Sequence, residues 1–126
     1  MHKQLNVIAG KAKENLKAAE ICLRNKFYNA SANRAYYACL HQATVALLSA
    51  EYKFDNNHKD IIRIFNSTLA KEISNHANTM NELFTRRQNA DYTDRNTSSS
   101  VAEDSYRVAA DFINQIEQLE RRRCHE

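Results

Sequence analysis

The segment from Phe27 to Ala50 reads FYNASANRAYYACLHQATVALLSA, and its reading decides the fold. Tyr28, Ala32, Ala35, Tyr36, Tyr37, Cys39, Leu40, Ala43, Val45, Ala46, Leu47 and Leu48 cover most of the circumference of a helix. A helix that is apolar nearly all round lies at the centre of a bundle or at a subunit interface, because a surface helix keeps a broad polar face. The surrounding chain has one glycine, Gly10, and no proline. It therefore lacks the residues that tight hairpin turns require. Ala, Leu, Glu, Lys, Gln and Arg, the strong helix formers, are plentiful. The expected fold class is all-α, an antiparallel bundle of four to five helices in one domain spanning residues 1–126.

Outward from that segment the periodicity continues. Towards the N-terminus, Leu5, Ile8, Ala12, Leu16, Ala19 and Leu23 recur at helical spacing, which predicts a helix from about Gln4 to Arg24. Gly10 inside it is expected to mark a close helix–helix approach, and Asn25-Lys26 to end it. Towards the C-terminus, Glu51 to Asn57 is a polar connection carrying Tyr52 and Phe54, with Asn57 as N-cap of a third helix from about His58 to Ile73. Ser74-Asn75 is expected to break the chain before a short fourth helix, about His76 to Ala90. Asp91 to Ser99 is turn-like. Ser100-Val101-Ala102-Glu103 has capping-box spacing and opens a last helix that runs to about Arg123. Its terminal Arg121-Arg122-Arg123 suits the negative pole of the helix dipole, or an RNA phosphate.

A formal net charge of +3 permits contact with RNA or an acidic protein without demanding it. Cys22, Cys39 and Cys124 form no C-x-x-C pair, and Cys22 and Cys39 fall at apolar helix positions, so they read as small buried thiols. Met1-His2-Lys3-Gln4 leads directly into a helix, and no apolar run is long enough to span a bilayer. The expectation is a cytosolic chain with no membrane partner.

Many site patterns are absent from the sequence. There is no glycine-rich phosphate loop and no H-x-x-x-H spacing, so neither a cofactor nor a metal site is expected. What remains is an Arg/Tyr/His/Asp set centred on Phe84-Thr85-Arg86-Arg87-Gln88-Asn89-Ala90-Asp91-Tyr92. Metal-free RNA cleavage needs a group to deprotonate or orient the 2′-hydroxyl and a group to neutralise charge on the phosphate. Histidine and arginine are the natural choices.

Three stretches carry a resemblance to a known family. Asn33-Arg34-Ala35-Tyr36-Tyr37-Ala38 looks like an R-x-Y-Y-A second helix, Asn57-His58 through Phe65 like an S/N-H-x-x-x-x-x-x-F third-helix start, and Arg87-Gln88-Asn89-Ala90-Asp91-Tyr92 like R-Q-x-A-D-Y. Together they resemble the short members of the HEPN superfamily, small α-bundles that commonly dimerise. The resemblance implies an RNase toxin, its toxin–antitoxin partner or a nucleotide-binding accessory domain, encoded beside a minimal nucleotidyltransferase and complexed with it. It implies a homodimer, through helix two and the Arg87–Tyr92 region, that binds RNA or a nucleotide. Arg87, Tyr92 and His58 are the catalytic candidates; Arg34, Tyr37, Arg86 and Asp91 are the RNA- or nucleotide-binding candidates.

Catalytic members of that superfamily carry R-x(4–6)-H, and here Tyr92 stands where the histidine is expected after Arg87. Tyrosine titrates near pH 10, a poor base at neutral pH. His58 at a helix N-terminus is the alternative imidazole. Arg34 and His41 fit R-x(6)-H by count alone, which is read as coincidence. Competing structural roles are an Arg87–Asp91 salt bridge, a carboxylate partner for Arg34, and Tyr36 and Tyr37 as core or interface aromatics. The competing function is a non-catalytic interaction or nucleotide-binding module that partners a nucleotidyltransferase.

Overall fold

The computed structural model describes residues 2–73, 76 and 78–124. The side chains of His2 and Cys124 and the expected break at Ser74-Asn75 lie outside the described residues. Five α-helices account for most of the chain: α1 (His2–Arg24), α2 (Tyr28–Ser49), α3 (His58–Ser67), α4 (Thr79–Tyr92) and α5 (Ser99–Cys124). A 3₁₀ turn spans Leu69–Glu72, and no strand occurs among the described residues.

The apolar circumference of α2 has a direct consequence. The helix packs against α1, α3, α4 and α5, and so takes the centre of the bundle within a single protomer. Ala35, Tyr36, Ala38, Cys39, Ala43 and Leu47 are fully enclosed there, each at 0% exposure. Alanines and a cysteine at these positions let α1 approach α2 closely through Ala12 and Ala19, both at 0%. Ser31 makes that approach polar at one point, its hydroxyl donating to the Ala19 carbonyl at 2.8 Å. Phe112, Ile113 and Ile116 of α5 and Phe65 of α3 fill the opposite side, with the Phe65 and Phe112 rings 5.4 Å apart.

The helix ends follow from a chain without spare glycines. Among the described residues, two with side chains adopt the left-handed conformation, Lys26 (φ 65) and Glu51 (φ 63). Each reverses the chain in a Schellman motif. Phe27 N donates to Cys22 O (2.8 Å) and Lys26 N to Leu23 O (3.1 Å) after α1; Tyr52 N donates to Leu47 O (3.0 Å) and Glu51 N to Leu48 O (3.1 Å) after α2. Asn57 caps α3 as expected, its side chain accepting from Asp60 N at 2.8 Å.

Several boundaries and one residue differ from expectation. Helix three stops at Ser67 rather than Ile73, because the Thr68 hydroxyl takes the Ile64 carbonyl at 2.7 Å and the Thr68 amide turns to Phe65 O. Helix four continues through Tyr92, supported by the Arg87–Asp91 pair one turn apart and closed by Thr93 Oγ1 donating to Asn89 O at 2.7 Å. It begins at Thr79, leaving the buried His76 ahead of it: His76 Nδ1 meets Thr79 Oγ1 at 2.7 Å and Nε2 meets Asp111 Oδ2 at 2.8 Å. The Ser100–Glu103 capping box does not form; Ser98 Oγ caps α5 by accepting from Val101 N at 3.1 Å. Gly10 marks no close approach. A methyl group built on it meets nothing within 4 Å among the described residues, since Gly10 lies on the solvent face of α1.

Candidate functional site

One seam of α2 is left half-buried by its neighbours: Arg34, Tyr37, His41, Thr44 and Leu48, spaced by three or four residues. The candidate site forms at the Arg34–His41 end, where α1, α3 and α4 converge. Tyr37 is its centre. The Arg34 guanidinium lies 5.0 Å from the Tyr37 ring centroid and the Arg87 guanidinium 5.4 Å from it. The imidazoles of His58 and His41 flank the same ring, at 5.6 and 6.4 Å between centroids.

Hydrogen bonds fix these groups. Arg87 donates through Nη2 to the hydroxyls of Tyr37 (2.9 Å) and Tyr92 (3.2 Å), and through Nε to Asp91 Oδ2 (3.2 Å). Asp91 Oδ2 also accepts from Asn33 Nδ2 at 2.6 Å. Asn33 in turn holds Arg34, which donates to its Oδ1 through both Nε and Nη2, while Arg34 Nη1 reaches Asn15 Oδ1 of α1 at 2.8 Å. The partners of Arg34 are thus neutral amides rather than the carboxylate considered from sequence. Among the described residues no carboxylate forms a direct ion pair with it, which suits a site that meets an anion.

Arg87 is different. Its side chain is 12% exposed, paired with Asp91, and ringed by Tyr36, Tyr37 and Tyr92 at 5.7, 5.4 and 5.1 Å. The salt bridge weighed as a competitor is present in the geometry. Tyr36 is fully buried with its hydroxyl 3.1 Å from His58 Nδ1, so of the two tyrosines it is the core aromatic. Tyr92 is 69% exposed and presents a ring face to solvent.

The electrostatics favour neutral imidazoles. Burial lowers the His58 pKa below its ordinary value, and the Arg87 charge lowers it further. Burial likewise lowers His41, assisted by Lys11, His58 and Arg34.

The structure brings together Arg34, Tyr37, His58, Arg87, Asp91 and Tyr92, and separates Arg86 from them. Arg86 turns to α5, donating to Asp104 Oδ2 at 2.8 Å and to Ser105 Oγ at 3.1 Å, where it ties α4 to α5. Asn33 joins the cluster without having been put forward from sequence, and so does His41, whose R-x(6)-H count from Arg34 was read as coincidence. The signal for His41 was its spacing, one turn beyond Tyr37 and two beyond Arg34, but spacing alone does not say which face the neighbours leave open. Among the described residues no group of three or more His, Cys, Asp or Glu side chains is placed to hold a metal ion. No described helix is long and apolar enough to cross a membrane.

A five-helix bundle with an Arg/Tyr/His cluster between its second, third and fourth helices is the arrangement the three sequence stretches foreshadow. The HEPN domain model matches residues 7–119. The chain belongs to the HEPN domain family. Among curated proteins it is 29% identical over 121 residues to "Putative toxin MJ0605" of Methanocaldococcus jannaschii, covering 92% of this chain and 88% of that one. It is 27% identical over 113 residues to a "UPF0332 protein" of Thermotoga maritima, covering 86% and 85%.

Proposed function

We propose that this HEPN-family chain is the toxin-like component of a two-part system, and that its Arg34–His58–Arg87 cluster binds RNA and cleaves it without a metal ion. One observation carries the reading: guanidinium groups from two helices converge on the ring of Tyr37, with the His58 imidazole against the same ring. A phosphate held beside them is neutralised by cations from two elements. His58, neutral at pH 7 because its pKa is lowered, accepts the proton of the 2′-hydroxyl as that oxygen attacks phosphorus. The bond to the 5′-oxygen breaks, and the leaving oxygen takes a proton from water. The products are a 2′,3′-cyclic phosphate and a 5′-hydroxyl. Tyr92 stacks on a base with its exposed ring. The likeness to a protein named as a toxin supports the toxin part of the reading. In the complete system two copies pair through helix α2 and the Arg87–Tyr92 segment, with a cleft between their clusters left open to the RNA, and a minimal nucleotidyltransferase acts as antitoxin.

A second reading has its own observation. Tyr92 stands where the motif histidine is expected, and its hydroxyl is already engaged by Arg87 at 3.2 Å. That favours a module that binds RNA or nucleotide, partners a nucleotidyltransferase and does not cut.

The test is incubation of purified protein with single-stranded RNA in EDTA, beside His58→Gln and Arg34→Gln. Arg87→Ala is a poor control, because a side chain so enclosed costs about 2–3 kcal/mol of stability when its charged hydrogen bonds are lost. The expected result is cyclic-phosphate ends from the native protein and a loss of about 100-fold or more in His58→Gln, with binding retained. Binding without cleavage selects the second reading. Neither binding nor cleavage rejects both.

A further inference from the structure

The half-buried seam of α2 does not end at His41. It runs on through Thr44 and Leu48 into a cavity of about 430 Å³ lined by Gln4 and Ile8 of α1, Thr44 and Leu48 of α2, and Tyr52, Lys53, Phe54 and Asn56 of the following connection. This volume is in the range of small-molecule sites. The helix end shapes it. Glu51 in the left-handed conformation folds Tyr52 back over the last turn of α2, its amide bonded to Leu47 O at 3.0 Å. That leaves Tyr52 40% exposed at the edge of the cavity, while Phe54 packs inward against the core.

The lining is chemically mixed in a particular way. Ile8, Leu48 and two aromatic rings supply flat apolar walls. The amides of Gln4 and Asn56 offer donors and acceptors together, and Lys53 adds a cation. The Thr44 hydroxyl is turned back to the Leu40 carbonyl at 2.8 Å, so the amides carry the hydrogen-bonding capacity. Planar, apolar-faced, edge-polar groups fit such a lining. The cavity lies further along the same half-buried seam of α2 as the Arg34–His41 cluster. Thr44 lies one turn beyond His41 on α2, and Asn56 lies two residues before His58. At a rise of about 1.5 Å per residue, Thr44 stands roughly 10 Å along the axis from Tyr37.

We propose that this cavity is a nucleobase subsite, which takes the base of a nucleotide neighbouring the one whose phosphate meets Arg34 and Arg87. It rests on the RNA-binding reading above and makes the occupant single-stranded RNA. Its base enters the cavity, and its backbone follows the α2 seam. A duplex presents no unstacked base to such a cavity, so single strands are selected.

The experiment is fluorescence anisotropy with a short single-stranded RNA, a version carrying abasic nucleotides, and the corresponding duplex. Native protein is compared with Tyr52→Ala and Tyr52→Phe, after thermal melts establish that both variants fold. Tyr52→Ala is expected to weaken binding of the single strand about tenfold, the loss of one base–aromatic stack, and Tyr52→Phe to restore it. The abasic strand should bind native protein and Tyr52→Ala equally weakly, because both lack the same contact. Equal binding of the intact strand by native protein and Tyr52→Ala overturns the subsite while leaving the Arg34–Arg87 cluster standing. Failure of native protein to bind RNA at all overturns the RNA reading and the subsite with it.

Discussion

His41 and His58 are the residues whose chemistry the fold alters most. Burial holds both imidazoles below their ordinary value of 6.5, so the folded protein resists protonating them while the unfolded chain does not. Their contribution to stability is complete above pH 6.5 and falls as the pH drops below it towards the lowered folded values. Denaturant midpoints should therefore decline between pH 7.5 and 5.5, and decline less in His41→Gln and His58→Gln. A slope identical in native protein and both variants would show that neither ring is held neutral. Glu120 has the opposite sign. Its carboxyl is half-buried, Oε1 has no hydrogen-bond partner among the described residues, and burial together with Glu117 raises its pKa. The charged form is disfavoured, so Glu120→Gln should raise the melting temperature at pH 7. The gain should shrink near pH 4, where the native side chain is itself neutral.

At the scale of elements, the chain meets ordinary helix-end geometry with unusual residues. Lys26 and Glu51 occupy left-handed positions that glycine fills at less cost, and both are exposed. The one glycine is spent in mid-helix, where a methyl group has open space. Gly10→Ala should stabilise by about 1 kcal/mol, a rise of about 3–5 °C in melting temperature. Lys26→Gly should stabilise by about 1 kcal/mol by relieving the left-handed strain, less the added entropy of the unfolded chain. Calorimetry on the two single variants and the pair checks both; Gly10 lies in the middle of α1 and Lys26 beyond its C-terminus, well separated along the helix, so the gains should add. The ends of α3 and α4 teach a related lesson. Thr68 shortens one helix with its hydroxyl, and Arg87 with Asp91 lengthens the other, both through side-chain bonds that hydrophobic periodicity does not register.

For the whole molecule, the central place of α2 limits what a partner can touch. Most of its apolar surface is consumed within the protomer, leaving the Arg34–Leu48 seam and the rim of α4 around the exposed Tyr92. A homodimer through this region would set two Arg34–Arg87 clusters facing each other across a cleft. Sedimentation equilibrium at micromolar concentration should give twice the 14.6 kDa chain mass. Asn33→Arg, at the half-buried edge of the seam, should shift the mass towards the monomer through like-charge repulsion. A monomeric native protein at that concentration removes the dimer from the proposal.

The all-α class, the number of long helices and the Asn57 cap were legible in the sequence alone. Each depends on residues within a few turns of one another: an apolar period, the lack of proline and near-lack of glycine, and a side chain beside its own backbone amide. The candidate cluster was legible in part. Arg34, His58 and Arg87 could be named because residue type suggests phosphate chemistry, yet nothing local distinguished Arg86 from Arg87. That choice fell to the packing of α4, which turns Arg86 to Asp104 on α5 and Arg87 to Tyr37 on α2. The place of His41 beside Tyr37, and the cavity closed by Tyr52 and Ile8, were likewise decided only in three dimensions. Contacts between residues distant in the chain follow from which helix faces bury each other, and that is set by the fit of the whole core.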